Sequence, residues 1–146
     1  MKKLFLLLLL GFVFIACDNN KEVSSISLEN WNKRTVNHKL NDLLISGTSY
    51  LSVYSQINSI TADKTQDLIA TISMRNTNRQ DTLYIIKAEY FNTSGELIRS
   101  YFKQPIFIGP LETVEIIIDQ IDKEGGTGAN FLFDWKIKPT SNDPLF

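Results

Sequence analysis

The chain reads as an all-β protein: an immunoglobulin-like antiparallel β-sandwich of about seven strands, preceded by a signal peptide and a flexible tether. Two observations carry that reading. Short runs of strand-forming residues recur at near-regular spacing between Thr48 and Lys138, separated by Gly, Pro and Asn turn signals and with no amphipathic helical pattern among them. Near the C-terminus, Phe131, Phe133, Trp135 and Ile137 alternate with Leu132, Asp134, Lys136 and Lys138, which puts four large apolar side chains on one face of a strand and requires that face to be buried.

In chain order, Met1-Lys2-Lys3 is a short cationic start, and Leu4 to Ala16 is apolar apart from Gly11. A spanning helix needs about 20 apolar residues, so residues 1–16 read as a signal peptide. The run ends Phe14-Ile15-Ala16-Cys17, which resembles the lipobox of bacterial lipoproteins; Cys17, the only Cys, is the expected lipidation site and mature N-terminus. Two or more acyl chains give lasting membrane attachment, at about 0.8 kcal/mol per buried CH₂. The expected location is the bacterial cell envelope, lipid-anchored on the periplasmic face of the inner or outer membrane or on the cell surface. Loss of residues 1–16 removes two lysines, leaving 13 basic against 16 acidic residues and a formal charge of −3. That balance offers no clustered basic face for nucleic acid.

Residues 17–47 are rich in Asn, Ser, Lys and Glu and read as a flexible tether, with a helical turn around Leu40–Leu44 as its one regular element. A coil of roughly 30 residues spans about 30 Å. A second reading of this stretch rests Asn30-Trp31-Asn32-Lys33-Arg34 on the lipid surface.

The sandwich is expected over 48–139, with 140–146 as a tail. Its strands are Tyr50–Ile57, Leu68–Asn76, Leu83–Phe91, Glu96–Phe102, Ile106–Ile108, Thr113–Asp119 and the aromatic strand. Leu83–Phe91 is apolar on both faces at its start and should be central, and Asn92-Thr93-Ser94-Gly95 is a hairpin turn. Pro105 confines the next segment to an edge, since Pro cannot donate to a ladder. Val114, Ile116 and Ile118 should point inward.

The most conspicuous stretch is Asp119 to Asn130. Gly125, Gly126 and Gly128 suit a tight corner or an anion-binding nest. Asp119, Asp122 and Glu124, with Asn130, offer hard oxygen atoms to Ca²⁺, although their spacing is not that of an EF-hand and no metal site is assigned. Phe131 stands where a dinucleotide fingerprint needs its third Gly, and a strand follows where that motif needs a helix. His38 is the only His and lies in the tether, so Ser/His/Asp or Cys/His catalysis and His/Cys zinc sites are not open to the sandwich. Asp81-Thr82-Leu83 matches a short acceptor pattern for O-glycosylation in some envelope systems.

Several of these runs carry a likeness. Tyr50-Leu51-Ser52-Val53-Tyr54-Ser55, Thr71-Ile72-Ser73-Met74-Arg75-Asn76-Thr77, Tyr90 with Gly95, Pro105, and Gly125-Gly126-Thr127-Gly128-Ala129-Asn130-Phe131 with Trp135 resemble the bacterial family known as domain of unknown function 3124, over about Tyr50 to Ile137. The resemblance implies small secreted or lipid-anchored proteins without an assigned activity. Family members often carry His where this chain has Gln56, so the likeness brings no metal or acid–base role to that position here.

The expectation is therefore a non-enzymatic envelope lipoprotein, without a cofactor, that meets the membrane through its anchor and whose sandwich binds a protein partner or serves as an accessory to a membrane complex. The alternative is small-ligand or Ca²⁺ binding by the Asp119–Asn130 loop. Exposed edge strands would favour the first; carboxylates converging on the loop would favour the second.

Overall fold

The computed structural model describes residues 29–60 and 64–146; the signal segment and Cys17 lie outside them. The strands are β1 (Ile45–Val53), β2 (Gln56–Asn58), β3 (Thr65–Asp67), β4 (Ala70–Arg75), β5 (Leu83–Phe91), β6 (Leu97–Ser100), β7 (Ile106–Ile108), β8 (Thr113–Ile118) and β9 (Ala129–Ile137), with a single-turn helix α1 (Trp31–Arg34) ahead of them. β1, β9, β5 and β6 form one antiparallel sheet in that order, with β7 also on β5; β4 and β8 form the second sheet, and β2–β3 is a separate hairpin. Side chains of both sheets meet in one core, and the architecture is an all-β antiparallel sandwich.

Each strand predicted from alternation overlaps an observed one, but β4 and β6 are shorter than the expected Leu68–Asn76 and Glu96–Phe102, and β3 lies where no strand was expected. β5 pairs on both sides, with β9 on one and β6 and β7 on the other, as its two apolar faces require. On β9, Phe131, Phe133 and Ile137 are fully buried and Trp135 nearly so, while Val114, Ile116 and Ile118 of β8 point into the same core. The aromatic side chains stack in series: Tyr90 on Phe131, Phe131 on Phe133, and Phe133 on Phe146, with centroids 4.8, 5.4 and 4.3 Å apart.

Three further boundaries differ from the sequence reading. The segment expected as one strand over Tyr50–Ile57 is broken at Tyr54-Ser55. There the Ser55 hydroxyl turns inward to donate to the Gly126 carbonyl (3.1 Å), and β2 begins on its far side. The tether expected to reach Gly47 is docked from Glu29 onward. Trp31 packs on Phe102 (5.6 Å), Arg34 pairs with Glu112 (2.7 Å) and with Glu29, Val36 is buried, and Thr35 bridges to Ile106 in β7. Trp31 and Arg34 thus spend on the domain the apolar and cationic groups that the lipid-surface reading gave to headgroups. β1 itself opens at Ile45, because small residues face the aromatic strand. Gly47 lies opposite Trp135, whose ring would stand 2.2 Å from any Cβ there, and Ser49 accepts the Trp135 indole N–H at 3.0 Å.

The third difference is the tail. Leu145 exchanges backbone hydrogen bonds with Arg75 at the end of β4 (2.8 and 3.1 Å), and Phe146 adds its ring to the aromatic series. Upstream, Asn76 and Asn78 fix this end of the sandwich. The Asn76 amide donates to the carbonyls of Asp81, Ile108 and Gly109, while Asn78 exchanges hydrogen bonds with Asn142. Buried amides with every group engaged specify one chain path.

Candidate functional site

The Asp119–Asn130 loop leads from β8 into β9. Its residues are largely engaged by the protein itself. Asp119 caps its own turn, accepting the Ile121 N–H at 3.2 Å. The Asp122 side chain is fully buried; one oxygen accepts the Glu124 N–H (3.2 Å) and the other faces the Arg99 guanidinium (3.1 Å). Glu124 approaches the second arm of Arg99 at 3.4 Å. Asp122 and Glu124 therefore do converge, but on an arginine from β6 and not on an open position. Asn130 stands apart, inside β9, opposite Ser52 on one side and Phe91 on the other. Among the described residues, no group of three or more His, Cys, Asp or Glu side chains is disposed to hold a metal ion.

The glycines form a corner clasped from three sides. Thr93, in the β5–β6 turn, donates to the Gly125 carbonyl through its hydroxyl (3.0 Å) and its N–H (3.1 Å), and its hydroxyl accepts the Gly128 N–H (3.0 Å). The Gly126 N–H is taken by the Lys123 carbonyl at 3.3 Å, so at least two donors that an anion nest would need are already used. Gly125 is required by close approach. A Cβ at that position would lie 2.0 Å from the Tyr90 hydroxyl and 2.8 Å from the Ser55 hydroxyl.

Beneath this corner the phenols of Tyr90 and Tyr101 are buried with no hydrogen-bond partner among the described residues. Burial pushes the Tyr101 hydroxyl up to about 12, against the opposing pull of Arg99, whose guanidinium sits 5.9 Å over the Tyr101 ring. Burial raises Tyr90 as well. Ser55 and the Asp122 side chain are buried at this corner and Arg99 is half-buried beside them; Tyr101 also lines a shallow cleft with Trp31 and Phe102. Arg99, Thr93 and Ser55 were not picked out by the sequence, since one arginine in a strand, one threonine in a turn and one serine after a strand are ordinary signals.

The other candidate is β1. It is nine residues long and pairs with β9 on one side only; no described residue pairs with its outer side. In an antiparallel ladder every second residue turns both its N–H and C=O away from the neighbour it has, so a row of donors and acceptors faces outward along β1. Ile-Ser-Gly-Thr-Ser-Tyr-Leu-Ser-Val holds no charge and no Pro. The other edges are shorter or blunted, β2 and β3 being three residues each. β6 and β7 are four and three residues long and interrupted by Tyr101–Pro105, β4 is capped at one end by Leu145, and β8 carries Glu115. Tyr50 on β1 is 64% exposed and Ile45 43%. The sequence reading reached only the Tyr50–Val53 half of this strand and not its edge position, because strand order is set by pairings between residues more than 70 positions apart, such as Ser49 with Phe133.

No curated protein and no solved structure matches the chain. A family model, described as a protein of unknown function (DUF3124), matches residues 46–146, from β1 through the docked tail. The chain belongs to that family.

Proposed function

We propose that this protein is a non-enzymatic, lipid-anchored component of the bacterial envelope whose sandwich docks a protein partner by strand addition along β1. The observation that carries the reading is the outer edge of β1: nine residues, uncharged, with no pairing strand among the described residues. An added strand would satisfy the outward backbone groups, with side chains such as Tyr50 supplying selectivity. The anchor half of the proposal rests on the sequence around Cys17.

The test is site-specific photo-crosslinking in intact bacteria expressing the full chain. A photoreactive residue at Tyr50 is expected to give a discrete adduct, and one at Glu96, in the turn before β6 on the far edge of the same sheet, is expected to give none. Equal labelling at both positions, or none at Tyr50, would remove β1 as the docking edge. In the same cells, Cys17→Ser should abolish incorporation of labelled palmitate and release the protein from membranes; a membrane-bound Cys17→Ser protein would remove the anchor.

A further inference from the structure

We infer that the partner strand on β1 is β1 of a second copy, paired antiparallel about a two-fold axis at Ser49. This rests on the reading of β1 as the docking edge and names its occupant. In that register Ile45 meets Val53, Ser46 meets Ser52, Gly47 meets Leu51, Thr48 meets Tyr50, and Ser49 meets itself. Two of the four facing pairs, Ile45 with Val53 and Ser46 with Ser52, match in chemical character, and the other two set a smaller residue against a larger one. Apolar residues fall at both ends, serines at both second positions, and a small residue opposite a large one at the third. An isologous interface must be complementary to itself, and this strand is.

Three further features agree. Odd positions face odd positions across the seam, so the core-facing set (Gly47, Ser49, Leu51, Val53) stays on one side of the joined sheet and the exposed set (Ser46, Thr48, Tyr50, Ser52) stays on the other. The seam brings no like charges together. On the exposed face Asp134 lies beyond Thr48 and Lys136 beyond Ser46. Across the two-fold these rows continue into Tyr50 and Leu132, and into Ser52 and Asn130, of the other copy. Like charges directly opposite would destabilise such a pair, and β1 has none of either sign to oppose. Finally, Ile45 and Tyr50, two of the large apolar side chains left exposed, both fall on the seam.

Disulfide trapping in the full-length chain decides the matter. In the proposed register Ser46 of one copy faces Ser52 of the other, whereas the two Ser46 residues stand about 20 Å apart, six residues at ~3.4 Å each. The double variant Ser46→Cys/Ser52→Cys should therefore form a covalent dimer on mild oxidation, and neither single variant should. Both positions are exposed, and circular dichroism of the reduced proteins reports whether they fold. As a second measurement, light scattering on the detergent-solubilised mature chain should give the mass of two copies, falling to one in Thr48→Lys/Tyr50→Lys, which sets lysines opposite lysines. Cross-linking by a single variant, no cross-link from a folded double variant, or a monomeric wild-type mass would overturn the inference. If those failures accompany a Tyr50 photo-adduct with a different protein, or with residues upstream of Glu29 in the same chain, the self-pairing is wrong while β1 still docks a strand. If no Tyr50 adduct forms either, the docking edge fails with it.

Discussion

The Asp119–Asn130 loop and strand β1 both lean on β9, the loop feeding its first residue and β1 pairing along its whole length, yet they spend their polar groups in opposite ways. In the loop the groups are consumed internally: two carboxylates on Arg99, two glycine N–H groups on Thr93 and Lys123, and two glycine carbonyls on Thr93 and Ser55. Along β1 the Thr48 and Ser49 hydroxyls are engaged by Asp134 and Trp135, while the backbone groups that face away from β9 are left open. In this molecule the conspicuous residues hold the fold, and the docking edge proposed above lies in a stretch whose residue types draw no notice.

Substitutions should separate the two regions by the size of their effect on stability. Arg99→Ala leaves Asp122 buried without its countercharge and should lower unfolding free energy by about 3–5 kcal/mol, read as a shift of the urea midpoint. A loss below about 1 kcal/mol would mean that the Asp122 carboxylate finds water or another donor, and the loop would be more open than its geometry shows. Gly125→Ala, whose Cβ must displace the Tyr90 and Ser55 hydroxyls, should cost about 1–3 kcal/mol by overpacking.

Alkaline titration probes the same end of the molecule. The Tyr101 pKa in the fold, raised by burial to about 12, exceeds the ~10 of an unfolded tyrosine. An unfolded chain therefore releases this proton first, so the stability involved is complete below pH ~10 and is lost as pH rises toward about 12. Tyr101→Phe should flatten that part of the stability–pH curve; an unchanged curve would assign the loss to other groups. The smallest effect belongs to β1: Thr48→Lys/Tyr50→Lys should change monomer stability by no more than about 0.5 kcal/mol per site, measured by urea unfolding at low protein concentration. A large loss there would make β1 a structural strand like its neighbours and erase the contrast.

How much of this was legible in the sequence follows the range of the interaction. Phe131, Phe133 and Ile137 announce a buried strand because alternation is local, and Leu83 to Phe91 announces a central one for the same reason. Pro105 marks an edge through its missing N–H. The docking of Trp31 on Phe102, of Arg34 on Glu112 and of Phe146 on Phe133 involves partners far apart in the chain, and each participant alone looks like a linker or tail residue. The β2–β3 hairpin, Gln56–Asn58 against Thr65–Asp67, is mostly polar and lacks the apolar alternation that would reveal it. For the candidate site the pattern was inverted. Asp122 and Glu124 were visible as carboxylates, but Arg99, which decides what they do, was not.

The docking of residues 29–36 also sets a leash. With Cys17 held at the bilayer, the chain available between the anchor and Glu29 is a dozen residues, at most about 40 Å when fully stretched, where a free segment as far as Gly47 would have allowed more than twice that. The sandwich would then be confined to a thin layer above its own membrane. On the proposed anchor, a strand that meets β1 would be met within that layer, and a second copy tied to the same surface would be found by a search in two dimensions.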